Sequence, residues 1–327
     1  MAGAEHVVAV GELVLAVTLL LFGYRRLRDA TARADAAEAA LLRAHGSNPD
    51  DVLVDLSIGV AGSDSHDLVQ RLDDALRLNQ FRLRYQPLVS ATGGEVVGVE
   101  ALLRWEDPSR GQVQPDDFIP LLEETGLIVP VGAWVLEEAC RQAAAWRRSG
   151  RPAAELTMSV NVAPRQLAQP DFAATVARAL ETTGANPRQL CLEITEAALI
   201  EDIETVRQQL VMVRDLGVLL AVDDFGTGYS SVSYVRQFPL DSVKIDKSFV
   251  QGLTSGVEDA AIAHAIIKMA HALGLSTVAE GVENADELAR LQQLGCDLVQ
   301  GFYFAEPMTA DAVDGLMAAG RELAIAG

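Results

Sequence analysis

From Phe81 to Phe302 the chain alternates short apolar segments with amphipathic ones. That alternation restricts the fold more than any other feature. The spacing predicts strands at Arg82–Val89, Val96–Trp105, Leu156–Val162, Leu190–Ile194, Val218–Asp223, Ser242–Asp246, Thr277–Glu280 and Leu298–Phe302. Between them run stripes at helical period: Val131, Val135, Ala139, Ala143 and Trp146; Ile203, Val206, Leu210 and Val213; Ile262, Ile266, Met269 and Leu273. A further helix starts at the cap residue Asn284 and stops at Gly295. Strands separated by helices of this length imply a mostly parallel sheet. Eight of them in roughly 250 residues imply an α/β class chain, a (β/α)8 TIM-like barrel. Only the first two strands, joined around Gly93 and Gly94, lack a helix between them.

The polar residues follow the strands. Glu100, Asn161, Glu193, Asp223 with Asp224, Lys244 with Asp246, Glu280 and Gln300 stand at or near the ends of seven apolar segments. Active sites of such barrels lie at the C-terminal ends of the strands and draw groups from several of them. One such residue alone is commonly a surface acid or a strand cap. The recurrence carries weight, because a buried carboxylate needs a partner or a metal. Period-two alternation would place Lys244 and Asp246 on one strand face. Carboxylates with an amide are hard oxygen ligands that suit Mg²⁺ or Mn²⁺ rather than zinc. The adjacent Asp223 and Asp224 suggest a carboxylate bridging two ions, a recurrent device for phosphodiester cleavage.

Charge and cysteine content narrow the partners. The formal net charge of -20 argues against DNA or RNA, which need a basic footprint. Cys140, Cys191 and Cys296 are too scattered for a disulfide framework or a zinc site and are expected as reduced core thiols. At the N-terminus, Val7–Tyr24 is apolar apart from Glu12 and is followed by Arg25, Arg26 and Arg28. This just reaches a spanning length, and the arginines would hold that side in the cytoplasm. The expectation is a single-pass anchor in the cytoplasmic (inner) membrane over 1–28, with a soluble cytoplasmic chain as the alternative. A linker over 29–66 and a barrel domain over 67–327 would follow.

Eight ordered motifs then carry a family resemblance. They are Tyr85-Gln-Pro87, Val99-Glu-Ala-Leu-Leu-Arg-Trp105, Ser159-Val-Asn-Val162, Glu193-Ile-Thr-Glu196, Asp223-Asp-Phe-Gly-Thr-Gly-Tyr-Ser-Ser231, Lys244-Ile-Asp-Lys-Ser-Phe249, Ala279-Glu-Gly-Val-Glu283 and Gln300-Gly-Phe302. Over about residues 70–320 the chain resembles the EAL-domain family. The Leu56–Ala61 phrase resembles the last strand of a GGDEF domain, though the signature itself is absent, so a degenerate remnant is the most it could be.

The resemblance implies a modified TIM barrel that hydrolyses cyclic di-GMP to linear pGpG with two Mg²⁺ or Mn²⁺ ions. It places Glu100, Asn161, Glu193 and Asp223 on the first ion, and Asp223, Asp224 and Glu280 on the second. Lys244 and Asp246 would hold or activate the water, and Glu280 and Asp246 are both candidates for the base. Gln86, Leu102, Arg104, Glu283, Gln300 and Gly301 would contact the substrate, Arg104 at a phosphate. Glu196 would brace the Asp223–Ser231 loop, which in many members couples metal binding to a homodimer. The chain departs from the family pattern at Glu306, where a basic residue often precedes the proline, and at Phe302, where tyrosine is frequent. The alternatives are a non-catalytic cyclic di-GMP receptor and an interaction module.

Overall fold

The computed structural model describes residues 61–319 except 151, 228–234 and 255. The strands are β1 (Phe81–Ser90), β2 (Val96–Asp107), β3 (Gly111–Val113), β4 (Thr157–Val162), β5 (Leu190–Thr195), β6 (Leu219–Phe225), β7 (Ser242–Ile245), β8 (Ser276–Ala279) and β9 (Leu298–Val299). The longer helices are α1 (Ala61–Arg77), α2 (Pro115–Thr125), α3 (Ile128–Ser149), α4 (Phe172–Thr183), α5 (Ile203–Asp215), α6 (Val257–Ala272), α7 (Ala285–Leu294) and α8 (Ala310–Ala319). The sheet runs β1-β9-β8-β7-β6-β5-β4-β2-β3, and β1 pairs with β2 to close it. The closed ring therefore has eight strands, with β3 outside it as a flap on β2.

The fold class expected from the alternation is the one observed, with one strand reversed. β1 runs antiparallel to both β2 and β9, whereas β2 and β4 through β9 are mutually parallel. The reversal follows from the absent helix. A parallel neighbour needs a crossover of a dozen or more residues, and the Ala91–Glu95 connection allows only a hairpin. Gly94, at φ 71, supplies the left-handed residue of that turn. The three-residue β3 is too short to show alternation in the sequence.

The core forms where the stripes predicted it. Val131, Val135, Ala139 and Trp146 of α3 are buried, as are Val206, Leu210 and Val213 of α5. Strands covered on both faces read as continuous apolar runs, and all four residues of β7 are buried, Lys244 among them. Under the hairpin, Phe81, Trp105 and Phe118 meet with ring centroids 5.8–6.3 Å apart and hold α2 to β1 and β2. Arg71 of α1 pairs with Asp107 at the end of β2 and ties that helix to the barrel. α1 begins at Ala61, ahead of residue 67, where the barrel domain was expected to start. Asn284 caps α7 by accepting from Glu287 N at 3.0 Å, and Gly295 ends it in the left-handed conformation, both as expected. The three cysteines are buried and free.

The single-pass membrane localisation is corrected. Among the described residues no helix is long and apolar enough to cross a membrane. Val7–Tyr24 lies outside the described residues, so no span is assigned to the chain. The expectation rested on the apolar length of that stretch and on the arginines after it. Most of the GGDEF-like phrase also lies outside.

Candidate functional site

The parallel strands deliver their polar residues to one end of the barrel. Lys244, on β7 and 1 % exposed, is the hub. Its ammonium lies 2.5 Å from Glu193 on β5, 2.5 Å from Glu280 just after β8, 3.3 Å from Asp223 on β6 and 3.6 Å from Glu100 on β2. Register places Gln86 of β1 directly across from Glu100. Gln300, just past β9, donates to Glu100 at 2.7 Å and to Gln86 at 3.1 Å. Asn161 donates to Glu100 at 2.5 Å from the solvent side of the mouth.

One ammonium cannot keep this many carboxylates charged. Burial raises Glu193 well above its usual range despite Lys244, with the Glu100 and Asp223 charges adding to the rise. Burial likewise pushes Glu280 up to about 8. Asp224, half-buried beside Asp223 and Asp246, is pushed up to about 6, burial contributing most. Glu100 moves the other way. Burial alone would raise it, but the Lys244 charge and the Gln300 and Asn161 hydrogen bonds outweigh that. Lys244 itself loses from burial and gains more from four surrounding carboxylates, so it stays charged.

The donor chemistry fits divalent cations. Oxygens of Asp223, Asp224 and Glu280 all lie within 4.8 Å of one another. They are hard ligands, in a pocket whose negative charge exceeds what Lys244 neutralises. Asp224 adopts φ 53, a left-handed conformation that is uncommon outside glycine and costs roughly 1–3 kcal/mol. Its turn is held by Thr227 Oγ1 donating to Asp224 O at 2.8 Å. The buried Glu196 accepts from Gly226 N at 2.9 Å and donates its own N–H to Asp223 O at 3.0 Å. It therefore grips the start of the Asp223–Ser231 loop. Residues 228–231 of that loop lie outside the described residues.

Two placements differ from the strand-end pattern. Glu100 sits in mid-strand, because β2 runs on past the barrel to pair with β3. Asp246 does not share a strand face with Lys244. β7 stops at Ile245, and Asp246 caps the short helix Lys247–Gln251 by accepting from Ser248 N at 3.0 Å. It meets Asp224 instead. Gly301 lines the mouth, but its glycine identity is a packing requirement: a Cβ there would lie 2.1 Å from Val282 O, where two loops cross.

A cavity of about 300 Å³ opens beside Glu100 and Glu280. Gln86, Glu283, Gln300 and Gly301 line it, as do Lys247, Gln251, Gly281 and Phe302. Leu102 and Arg104 are not on its wall. Arg104 is half-buried and donates to Leu103 O at 2.8 Å. Sequence reasoning did not single out Lys247 and Gln251. The available signal was their four-residue spacing, which puts both on one face of the turn after β7.

The class so defined is a closed (β/α)8 barrel whose mouth carries a hard-ligand carboxylate cluster around a buried lysine. The EAL-domain family matches residues 69–307, and the chain belongs to that family. It is 42 % identical over 244 residues to the bifunctional diguanylate cyclase/cyclic di-GMP phosphodiesterase MucR of Pseudomonas aeruginosa, covering 75 % of this chain and 35 % of that one. It is 41 % identical over 252 residues to the cyclic di-GMP phosphodiesterase NbdA of the same organism, covering 77 % and 32 %. The chain thus spans about a third of the length of these relatives. Among solved structures, the PaMucR phosphodiesterase in complex with c-di-GMP superposes with a TM-score of 0.73 at 41 % identity, covering 76 % of this chain and 99 % of that one. The FimX EAL domain of P. aeruginosa bound to c-di-GMP gives 0.68 at 27 %, covering 74 % and 96 %.

Proposed function

We propose that the chain hydrolyses cyclic di-GMP to linear pGpG, using two Mg²⁺ or Mn²⁺ ions at the barrel mouth. The observation that carries this is the convergence of Asp223, Asp224 and Glu280 beside Lys244, every acid and amide of the expected ligand set being present. Glu100, Asn161, Glu193 and Asp223 would hold one ion, and Asp223, Asp224 and Glu280 the other. Bound there, the ions would supply charge stabilisation for the phosphodiester and a lowered pKa for a nucleophilic water. Glu280 accepts the water's proton. Its carboxylate stands both in the acidic cluster and on the cavity wall, within reach of a water held there. Asp246 is the weaker candidate, because one of its oxygens is already engaged as a helix cap. Lys244 fixes Glu193 and Glu280 in place through its ion pairs. Gln86 and Gln300 orient the substrate from the cavity wall, with Glu283 at its rim. The hydrolytic unit is taken as 67–327 together with the start of α1. A homodimer near the Asp223–Ser231 loop belongs to the same proposal and rests on the family alone. A turnover assay with divalent cation, repeated in excess chelator, tests the reading.

The site also implies a pH dependence. Glu280 and Asp224 have folded-state values of about 8 and about 6, above their ordinary 4.5 and 3.8. Their contribution to the stability of the metal-free chain is therefore fully present below about pH 4 and is lost as pH rises through 6 and then 8. Cation binding needs the charged carboxylates and displaces these protons. The chelated chain is expected to melt at progressively lower temperature between about pH 5 and pH 9. Added Mn²⁺ should raise the melting temperature more at the alkaline end. Calorimetry across that range checks this, and a Mn²⁺ effect that shrinks with rising pH would refute it.

A further inference from the structure

Lys247 has no assigned role in the reading above, and three observations single it out. Among the described residues it is the only lysine or arginine lining the cavity beside Glu280, where the other charged lining residues are Glu100, Glu280 and Glu283. It is exposed, and among the described residues no carboxylate pairs with its ammonium. Its backbone is fixed on both sides. Asp246 caps the turn it begins, and Phe249 and Val250 anchor that turn in the core. Gly281, at φ 71, lets the loop after β8 lie directly against the lysine stem: a Cβ there would sit 2.6 Å from Lys247 Cβ. The result is an unpaired cation on a rigid base, on the wall of the cavity that adjoins the carboxylate cluster.

Resting on the hydrolase reading, we propose that Lys247 is the cation that holds the second phosphodiester of the cyclic dinucleotide. The reacting phosphodiester lies at the Asp223–Asp224–Glu280 cluster. The remainder of the substrate must then extend along the adjoining cavity, and its other phosphate is the only further anionic group it carries. With Glu100 and Glu280 engaged by the ions, Glu283 is the remaining carboxylate on the cavity wall and would repel that phosphate, and the free ammonium of Lys247 offsets it. Lys247 is a binding residue in this account and takes no part in proton transfer.

The test is cyclic di-GMP affinity of the full chain with Mn²⁺ in a Glu280→Gln background, whose turnover is expected to be slower by about 10²–10⁴, measured by calorimetric titration for that background alone and with Lys247→Met or Lys247→Arg added, across a range of ionic strength. Lys247→Met is expected to weaken binding by about 10- to 100-fold, the range for a charge-assisted hydrogen bond. Its affinity should also respond less to salt, because one ion pair with the ligand has gone. Lys247→Arg should restore most of the affinity and the salt response. Unchanged affinity in Lys247→Met, or an arginine variant as weak as the methionine one, overturns the proposal. Binding without hydrolysis by the parent would defeat the hydrolase reading and leave this comparison decisive. Absence of binding by the parent would overturn both.

Discussion

Replacing Glu280 by glutamine is expected to lower kcat by about 10²–10⁴, the usual cost of losing a proton-transfer group. Glutamine keeps the shape and can still accept from Lys244, now 2.5 Å from the carboxylate. It cannot take a proton from water, and it is a poorer cation ligand than a carboxylate. Binding of cyclic di-GMP in the presence of Mn²⁺ should survive within about tenfold, because Gln86, Gln300 and the remaining carboxylates are untouched. Both kcat and Kd are to be measured. A variant within tenfold of parental kcat removes Glu280 from the mechanism. Loss of binding in step with turnover makes it an organiser of the site and leaves the base to be sought at Asp246.

The second large effect is expected at Lys244. Lys244→Met removes the one ammonium that, among the described residues, pairs with Glu100, Glu193, Asp223 and Glu280. Removing one partner of a buried ion pair costs about 3–5 kcal/mol, because the remaining charge is stranded. Here the stranded charges can be relieved in two ways, and both are measurable. Protonation relieves them, so the chelated variant should lose most stability at alkaline pH and little near pH 5. A divalent cation relieves them too, so Mn²⁺ should restore more stability to the variant than it adds to the parent. Chemical denaturation of both chains at two pH values, with and without Mn²⁺, reads this. A loss that does not change with pH or metal would mean that Lys244 is a packing residue, and the carboxylates would need another source of compensation.

The sequence showed the barrel because its two periodicities do not overlap. Segments such as Leu190–Ile194 and Val218–Asp223 are too short for buried helices, and the α3 and α5 stripes repeat at 3.6. The reversed β1 was harder to see, since a strand looks the same in either direction. Only the short Ala91–Glu95 link reveals it. The carboxylate cluster was legible because carboxylates in apolar strands violate the burial rule, and Glu193 at 2 % exposure shows how completely they do so. The pairing of Lys244 with Asp246 was misread because period two was extended one residue beyond the end of β7. Lys247 and Gln251 stayed hidden because an exposed lysine and glutamine on a helical turn are the commonest of surface residues. Their role comes from the cavity, which the folding of β8 and β9 beside them creates.

The most direct test is the fate of cyclic di-GMP incubated with the full chain and Mn²⁺ or Mg²⁺, followed by chromatography. The site described here predicts one nucleotide product, linear pGpG, formed in proportion to enzyme, abolished by excess EDTA and restored when the cation is returned. Undiminished hydrolysis in EDTA would contradict the metal-dependent mechanism. Tight binding with no product under any divalent cation would make the barrel a receptor.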